Sequence, residues 1–265
     1  MSIYFLGGGN MATAIVAGMS KQGGYDIEVI DRNLEKRQHL SSCYQVRCSE
    51  KLPSLNADDV LVLAVKPQDM QQSTAGIELN GALVLSIAAG LTINTLSQFL
   101  QNHHRIIRIM PNTPCQIGLG ISGLYAPSNI DTADKNLGRK HYAYHWRSGL
   151  AGRRKAPLTV LLASVAVAPA YVFYFLNALQ QAAIQQGFST KEAHQLSLGT
   201  FKGAVSLAEQ SGTEFVQLQK NVTSKGGTTF AATSVFDQHQ LSKVVADGVA
   251  ASVARAEEMQ QQLAP

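Results

Sequence analysis

A short apolar run, Ile3-Tyr4-Phe5-Leu6, leads directly into Gly7-Gly8-Gly9-Asn10-Met11-Ala12, and Ile15, Val16 and Met19 follow at helical spacing. A strand ending in G-x-G-x-x-A at the head of a helix leaves few folds open. Such a turn is tight, keeps backbone amides free at a helix N-terminus and carries no Cβ atoms to block an approaching phosphate, which is what the pyrophosphate of a dinucleotide requires. A glycine turn that merely lets the helix pack closely on the strand is the plainer reading; strand, helix and position together weigh against it. No G-x-x-x-x-G-K-[ST] sequence follows, so this is not a P-loop.

Residues 1–124 continue in the same manner, with short apolar runs separated by amphipathic stretches in the order of βαβ units. Strands are expected over residues 3–6, 27–30, 60–65, 83–87 and 106–110. The intervening segments are long enough for crossover helices, which implies a parallel sheet. After Pro169 the pattern turns helical. Tyr171, Phe175, Leu176 and Leu179 recur at helical spacing up to Gly187, and Ser189-Thr190-Lys191-Glu192 fits a capping box opening a helix to about Glu209. A further helix is expected over residues 241–263. At 265 residues, two domains are the natural expectation. The fold class is thus α/β, with a Rossmann-type domain over residues 1–155 and an all-α domain over 156–265, the boundary falling near Ala156.

Composition excludes several function classes. Hydrophobic residues make up 45% and charged residues 15% of the chain, the balance of a well-buried protein. No apolar run is long enough to span a bilayer and the N-terminus reads as a strand rather than a signal peptide, so a cytoplasmic location is expected, without a membrane partner. Cys43, Cys48 and Cys115 cannot all pair and show no metal-ligand spacing, so reduced thiols and no metal are expected. The formal charge of +4 is local. Residues 135–167 hold seven Lys or Arg and no Asp or Glu, leaving the rest of the chain net negative, and no nucleic-acid surface is read from it.

Ligands in open α/β sheets collect at the carboxyl ends of strands. Asp31-Arg32 ends the second strand about 20 residues beyond the glycines. An acid there binds a ribose 2′-hydroxyl, an arginine a 2′-phosphate; the two signals disagree, and solvated turn residues are a third reading. Ala64-Val65-Lys66-Pro67, Ser86-Ile87-Ala88-Ala89-Gly90 and Met110-Pro111-Asn112-Thr113-Pro114 end the later strands. Pro67 fixes the backbone after Lys66, and Ala88, Ala89 and Gly90 leave room for a planar ring.

A second ligand-shaped loop lies in the other half, Asn221-Val222-Thr223-Ser224-Lys225-Gly226-Gly227-Thr228-Thr229. Glycines and threonines at a helix start present unpaired N–H groups and hydroxyls, a receptor for a carboxylate, to which Lys225 adds charge. The competing reading is an ordinary helix capped by Thr228 or Thr229. Two ligand loops in one chain imply transfer between two occupants.

With Gly7-Gly8-Gly9-Asn10-Met11-Ala12, Ala64-Val65-Lys66-Pro67, Arg108-Ile109-Met110-Pro111-Asn112-Thr113-Pro114 and Ser224-Lys225-Gly226-Gly227-Thr228-Thr229 in order, the sequence resembles the Δ1-pyrroline-5-carboxylate reductases over residues 1–128 and 168–260. The resemblance implies an enzyme that reduces the cyclic imine 1-pyrroline-5-carboxylate to L-proline with NADPH, NADH being a second candidate, and that assembles as a homodimer or higher homo-oligomer through its helical domain. By carry-over, Gly7 to Ala12 with Asp31 and Arg32 bind the nucleotide, and the nicotinamide lies against Ala64, Val65, Lys66, Pro67, Ala88, Ala89 and Gly90. Val222, Ser224, Gly226, Gly227 and Thr228 bind substrate, with backbone amides holding its carboxylate. The Thr229 hydroxyl meets the imine nitrogen as the catalytic contact. A related Rossmann reductase of another small carboxylated imine or hydroxyacid, and an inactive dinucleotide-binding homologue, are the alternatives.

Two departures stand out. Lys225 replaces the family's usual proline in the C-terminal loop, and Val165-Ala166-Val167-Ala168-Pro169-Ala170-Tyr171 stands where the family carries G-S-G-P-A-Y. Residues 134–167 lose the family pattern and regain it abruptly at Pro169. Two compensating frame shifts produce such a bounded loss, as does divergence; the coding DNA read in the other frames decides, and a frame-shifted segment is expected to pack poorly and impair activity.

Overall fold

The computed structural model describes residues 1–143 and 166–263. The chain divides into two compact units, one holding the described residues of 1–169 together with 251–263, the other residues 170–250. The expected boundary near Ala156 lies outside the described residues.

The first unit is built on a seven-stranded sheet in the order β3-β2-β1-β4-β5-β6-β7. Its strands are β1 (Ile3–Leu6), β2 (Ile27–Ile30), β3 (Arg47–Ser49), β4 (Val60–Leu63), β5 (Leu83–Ser86), β6 (Ile106–Met110) and β7 (Gly123–Tyr125). The first six run parallel and β7 pairs antiparallel with β6. Helices α1 (Asn10–Gln22), α2 (Leu34–Tyr44), α3 (Met70–Thr74), α4 (Ile93–Phe99) and α5 (Thr132–Ala143) complete it.

Strand alternation divides the core. Ile3, Phe5, Val29, Val60, Val62, Leu83, Leu85, Ile107 and Ile109 pack on one side with Ile15, Val16 and Met19 of α1. Tyr4, Leu6, Ile30, Leu61, Leu63, Val84 and Ile106 pack on the other with Met70, Leu96 and Leu100. Side chains two apart share a face, so covering both faces requires the near-continuous apolar runs seen in the sequence. Each fully buried Leu, Ile, Val or Phe contributes roughly 1.5–3 kcal/mol of transfer free energy.

The expected strands over 60–65 and 83–87 stop two and one residues early. Ala64 donates its N–H to Leu6 O at 2.9 Å and the chain then turns beside the glycines. Two three-residue edge strands, β3 and β7, carry too little periodicity to be read from sequence.

α5 begins the segment in which the family pattern is lost. Asp134 is 4% exposed there and binds Arg105 through two contacts of 2.7 Å, and Gly138 packs against Leu124 and Ile107. Poor packing is therefore absent from these first residues, and most of the rest of the segment lies outside the described residues.

The later helices are α6 (Ala168–Gln185), α7 (Thr190–Ser211), α8 (Phe215–Asn221), α9 (Thr228–Gln238) and α10 (Leu241–Gln262). The capping box forms as expected. Ser189 Oγ accepts from Glu192 N–H, and the Glu192 carboxylate accepts from Ser189 N–H at 3.0 Å. α8 was not expected, being only seven residues long. Among the described residues of 170–250, only Ala193 and Ser197 are buried, while Phe173, Tyr174, Phe215 and Val216 are more than 60% exposed. Among the described residues no helix is long and apolar enough to cross a membrane and no metal-binding cluster of His, Cys, Asp or Glu occurs.

Candidate active site

In the sheet order β1 lies between β2 and β4, so the chain leaves it in opposite directions and opens a crevice at the carboxyl ends of β1 and β4. The glycine turn occupies that point. Gly7 has φ +102°, and a Cβ there would stand 2.9 Å from Val65 Cγ1 and 3.0 Å from the Ala64 carbonyl carbon. The chain crosses here only because Gly7 has no side chain. A Cβ on Gly8 would meet Leu40 Cδ1 at 2.9 Å, whereas one on Gly9 would have nothing nearer than Ala64 O at 4.0 Å. The open face is thus at Gly9, the N-cap of α1, where no side chain satisfies the helix's first amides. This is a cradle with the shape and donors a pyrophosphate needs.

Asp31 takes an unexpected position. Its Oδ2 accepts from the Gly8 N–H at 2.8 Å and its Oδ1 from Asn33 N–H at 2.8 Å, with Lys36 Nζ 3.7 Å from Oδ2. The carboxylate therefore latches the glycine turn from the neighbouring strand. Arg32 is exposed beside it.

Gly7, Gly9, Asp31, Arg32, Ala64, Val65 and Lys66 line one cleft of ≈ 830 Å³. Lys36 and Lys51 add positive charge to it, and Glu50, Asp69 and Glu78 add negative. Gly8 and Asn10 face a neighbouring cavity of ≈ 490 Å³ with Thr13, Glu35, Lys36 and His39. Ala12 is buried, and Met11, partly buried, packs against the core. Pro67 opens a 3₁₀ turn after Lys66 and does not line the cleft.

Ala88, Ala89 and Gly90 lie beyond the end of β5, outside the cleft-lining residues. Sequence reasoning gave no role to Arg108, which reaches this turn from β6. It is 2% exposed, and its Nη2 donates to Ala88 O at 2.6 Å. Desolvation pushes its guanidinium down to about 10. The one available signal was a lone charge inside the apolar run of residues 106–110. Asn112, also buried, accepts from Ile121 N–H at 2.8 Å and organises the loop after β6.

In the second unit, Val222 ends α8 and Gly227 caps α9. Neither Thr228 nor Thr229 is the cap, and no side chain bonds the first amides of α9. Gly226 has φ +73°, and Ser224 O accepts from Gly227 N–H at 3.0 Å. A Cβ on Gly227 would meet Ser224 Oγ, which would have to turn aside. Ser224, Lys225, Gly226, Thr228 and Thr229 are exposed. An uncapped helix start with exposed hydroxyls and a lysine suits a small anion.

Sheet order, glycine cradle and appended helices define a Rossmann-type dinucleotide-binding oxidoreductase. Residues 2–90 match the family model described as NADP oxidoreductase, coenzyme F420-dependent, and residues 156–259 the one described as pyrroline-5-carboxylate reductase dimerisation. A pyrroline-5-carboxylate reductase of Vibrio alginolyticus is 37% identical over 265 residues, covering 97% of each chain. The solved pyrroline-5-carboxylate reductase of Coxiella burnetii is 34% identical with a TM-score of 0.82, over 97% of this chain and 98% of that one. A Plasmodium falciparum pyrroline carboxylate reductase, solved with NADP bound, shares the fold at 23% identity, with a TM-score of 0.85 and 98% of each chain covered. The chain belongs to the pyrroline-5-carboxylate reductase family, and its helical half carries that family's dimerisation module.

Proposed function

We propose that this chain reduces 1-pyrroline-5-carboxylate to L-proline with NADPH. The observation that carries the reading is the cradle at Gly9, open where Gly7 and Gly8 are closed and facing uncapped amides of α1. In this reading Gly7, Gly8, Gly9 and Asn10 hold the pyrophosphate. Asp31 keeps the turn in shape, and Arg32 with Lys36 meets the ribose 2′-phosphate. Ala64 to Pro67 and Ala88 to Gly90 contact the nicotinamide.

Bound NADPH supplies the hydride, which adds to the imine carbon. The chain's own residues bind and orient. Amides from Gly226 to Thr228 hold the substrate carboxylate, with Lys225 adding attraction, and the Thr229 hydroxyl bonds the ring nitrogen. A pyrrolinium nitrogen enters already protonated, so addition at carbon completes the amine without a dedicated acid; orientation does much of the work.

The exposed apolar residues of α6 to α9 suit a homodimer, in which a second copy covers them. The cytosol, where unpaired thiols persist, suits Cys43, Cys48 and Cys115, none of which is in a disulfide. The test is NADPH oxidation by the purified protein with pyrroline-5-carboxylate. Turnover to proline is expected; cofactor binding without turnover would overturn the reading.

A further inference from the structure

Arg108 is a buried charge for which the described residues supply no counter-ion. Among the described residues no carboxylate pairs with it, its Nε has no acceptor, and besides Ala88 O its only other hydrogen-bond contact is Met110 Sδ at 4.0 Å. Ser86, its register partner on β5, is fully buried, and its Oγ also has no partner. Removing a cation from water without pairing it is costly, and an apolar side chain of similar volume would usually be at least as stable. Packing alone does not account for an arginine here.

The turn that Arg108 holds is also contacted by the end of α10. A Cβ on Gly90 would stand 3.0 Å from Met259 Cβ, and Leu263 packs on the cluster containing Ala88 and Leu91. Arg108 therefore bonds the carbonyl of a turn with little freedom to move.

We infer that Arg108 is a positioning residue for the cofactor, fixing the Ala88 to Gly90 turn through Ala88 O while its unpaired charge makes the site favour the neutral dihydronicotinamide over the cationic nicotinamide. The inference rests on the reading above that sets the nicotinamide against Ala88. On giving up hydride the ring gains a positive charge, which the guanidinium behind the Ala88 carbonyl would repel. The reduced ring is uncharged and feels no such penalty. Spent cofactor leaves more readily, and NADPH displaces it.

The test is equilibrium titration of the full-length protein with NADPH and with NADP⁺, following the ratio of the two Kd values. Arg108→Gln keeps a donor for Ala88 O and removes the charge, whereas Ser86→Asp leaves Arg108 in place and sets a carboxylate beside it. In each, the preference for NADPH should fall about fivefold or more, from the loss of one charge–charge repulsion at intermediate dielectric. Arg108→Lys should retain the preference while weakening both cofactors. Parallel weakening of both cofactors at a constant ratio in Arg108→Gln and Ser86→Asp would mean a merely structural arginine and overturn the inference. A wild-type protein that binds NADP⁺ as tightly as NADPH overturns it without any variant. Wild type binding neither cofactor would instead refute the cofactor reading.

Discussion

The backbone N–H of Gly8 donates to the carboxylate of Asp31 at 2.8 Å, joining the first strand's turn to the end of the second strand. Asp31 also accepts from Asn33 N–H, so one side chain braces the turns at the ends of both strands. Asp31→Ala leaves the Gly8 amide without its acceptor, a loss of about 1.5–3 kcal/mol for a bond to a charged group. A lower Tm and a KM for NADPH raised about tenfold are expected, with kcat at saturating cofactor little changed. An unchanged KM would remove Asp31 from the cradle.

At the other ligand loop, Thr229 is exposed in the first turn of α9, directly after an uncapped start. Thr229→Ala removes one hydroxyl from the proposed substrate contact and should lower kcat/KM for pyrroline-5-carboxylate about tenfold or more, with NADPH binding and Tm preserved. Steady-state kinetics against both substrates checks this; wild-type kinetics would exclude the contact.

Elsewhere in the first unit, Arg105 clamps α5 to the sheet. It bonds both oxygens of Asp134 at 2.7 Å and donates to Ala57 O and Gly81 O at 2.6 Å. Asp134→Ala should cost about 2 kcal/mol, below the range for fully buried pairs because Arg105 is 34% exposed and water reaches it. Urea denaturation measures the loss, and cofactor affinity should stay constant. A wild-type midpoint would show that the start of α5 contributes no stability.

His103 is half-buried, its Nε2 has no partner among the described residues, and desolvation lowers its pKa below the ordinary value. The folded state then binds its proton less readily than the unfolded state does. The stability it permits is fully present above the unfolded value near 6.5 and declines as pH falls through the window between that value and the lower folded one. Tm should drop between neutral and mildly acid pH, and His103→Asn should flatten that part of the curve. A parallel curve in the variant would assign the drop to other groups.

β1, β2, β6 and the Ser189 capping box were legible to the residue because each rests on local chemistry: alternation, continuous apolar runs, and a hydroxyl three residues before a glutamate. The glycine turn was legible for the same reason. β3 and β7 were not, since three residues carry no period and their pairing is non-local. Nor could the sequence divide the labour of Asp31 and Arg32, because the acceptor role of Asp31 depends on Gly8 lying across the strand pair. Arg108 was visible as a lone charge in an apolar run and as part of a motif; its burial and its bond to Ala88 arise from the register of β5 and β6.

Few of the described residues of 170–250 are buried, and the apolar side chains of α6 to α9 meet solvent in a single chain. For a dimerisation module this makes assembly part of folding. Mass action then enters: the folded state gains the free energy of association, so Tm should climb as protein concentration rises, and refolding from denaturant should slow on dilution. Scarcity of the protein would itself be a route to losing it, since a lone copy leaves the apolar side chains of α6 to α9 open to proteases and chaperones.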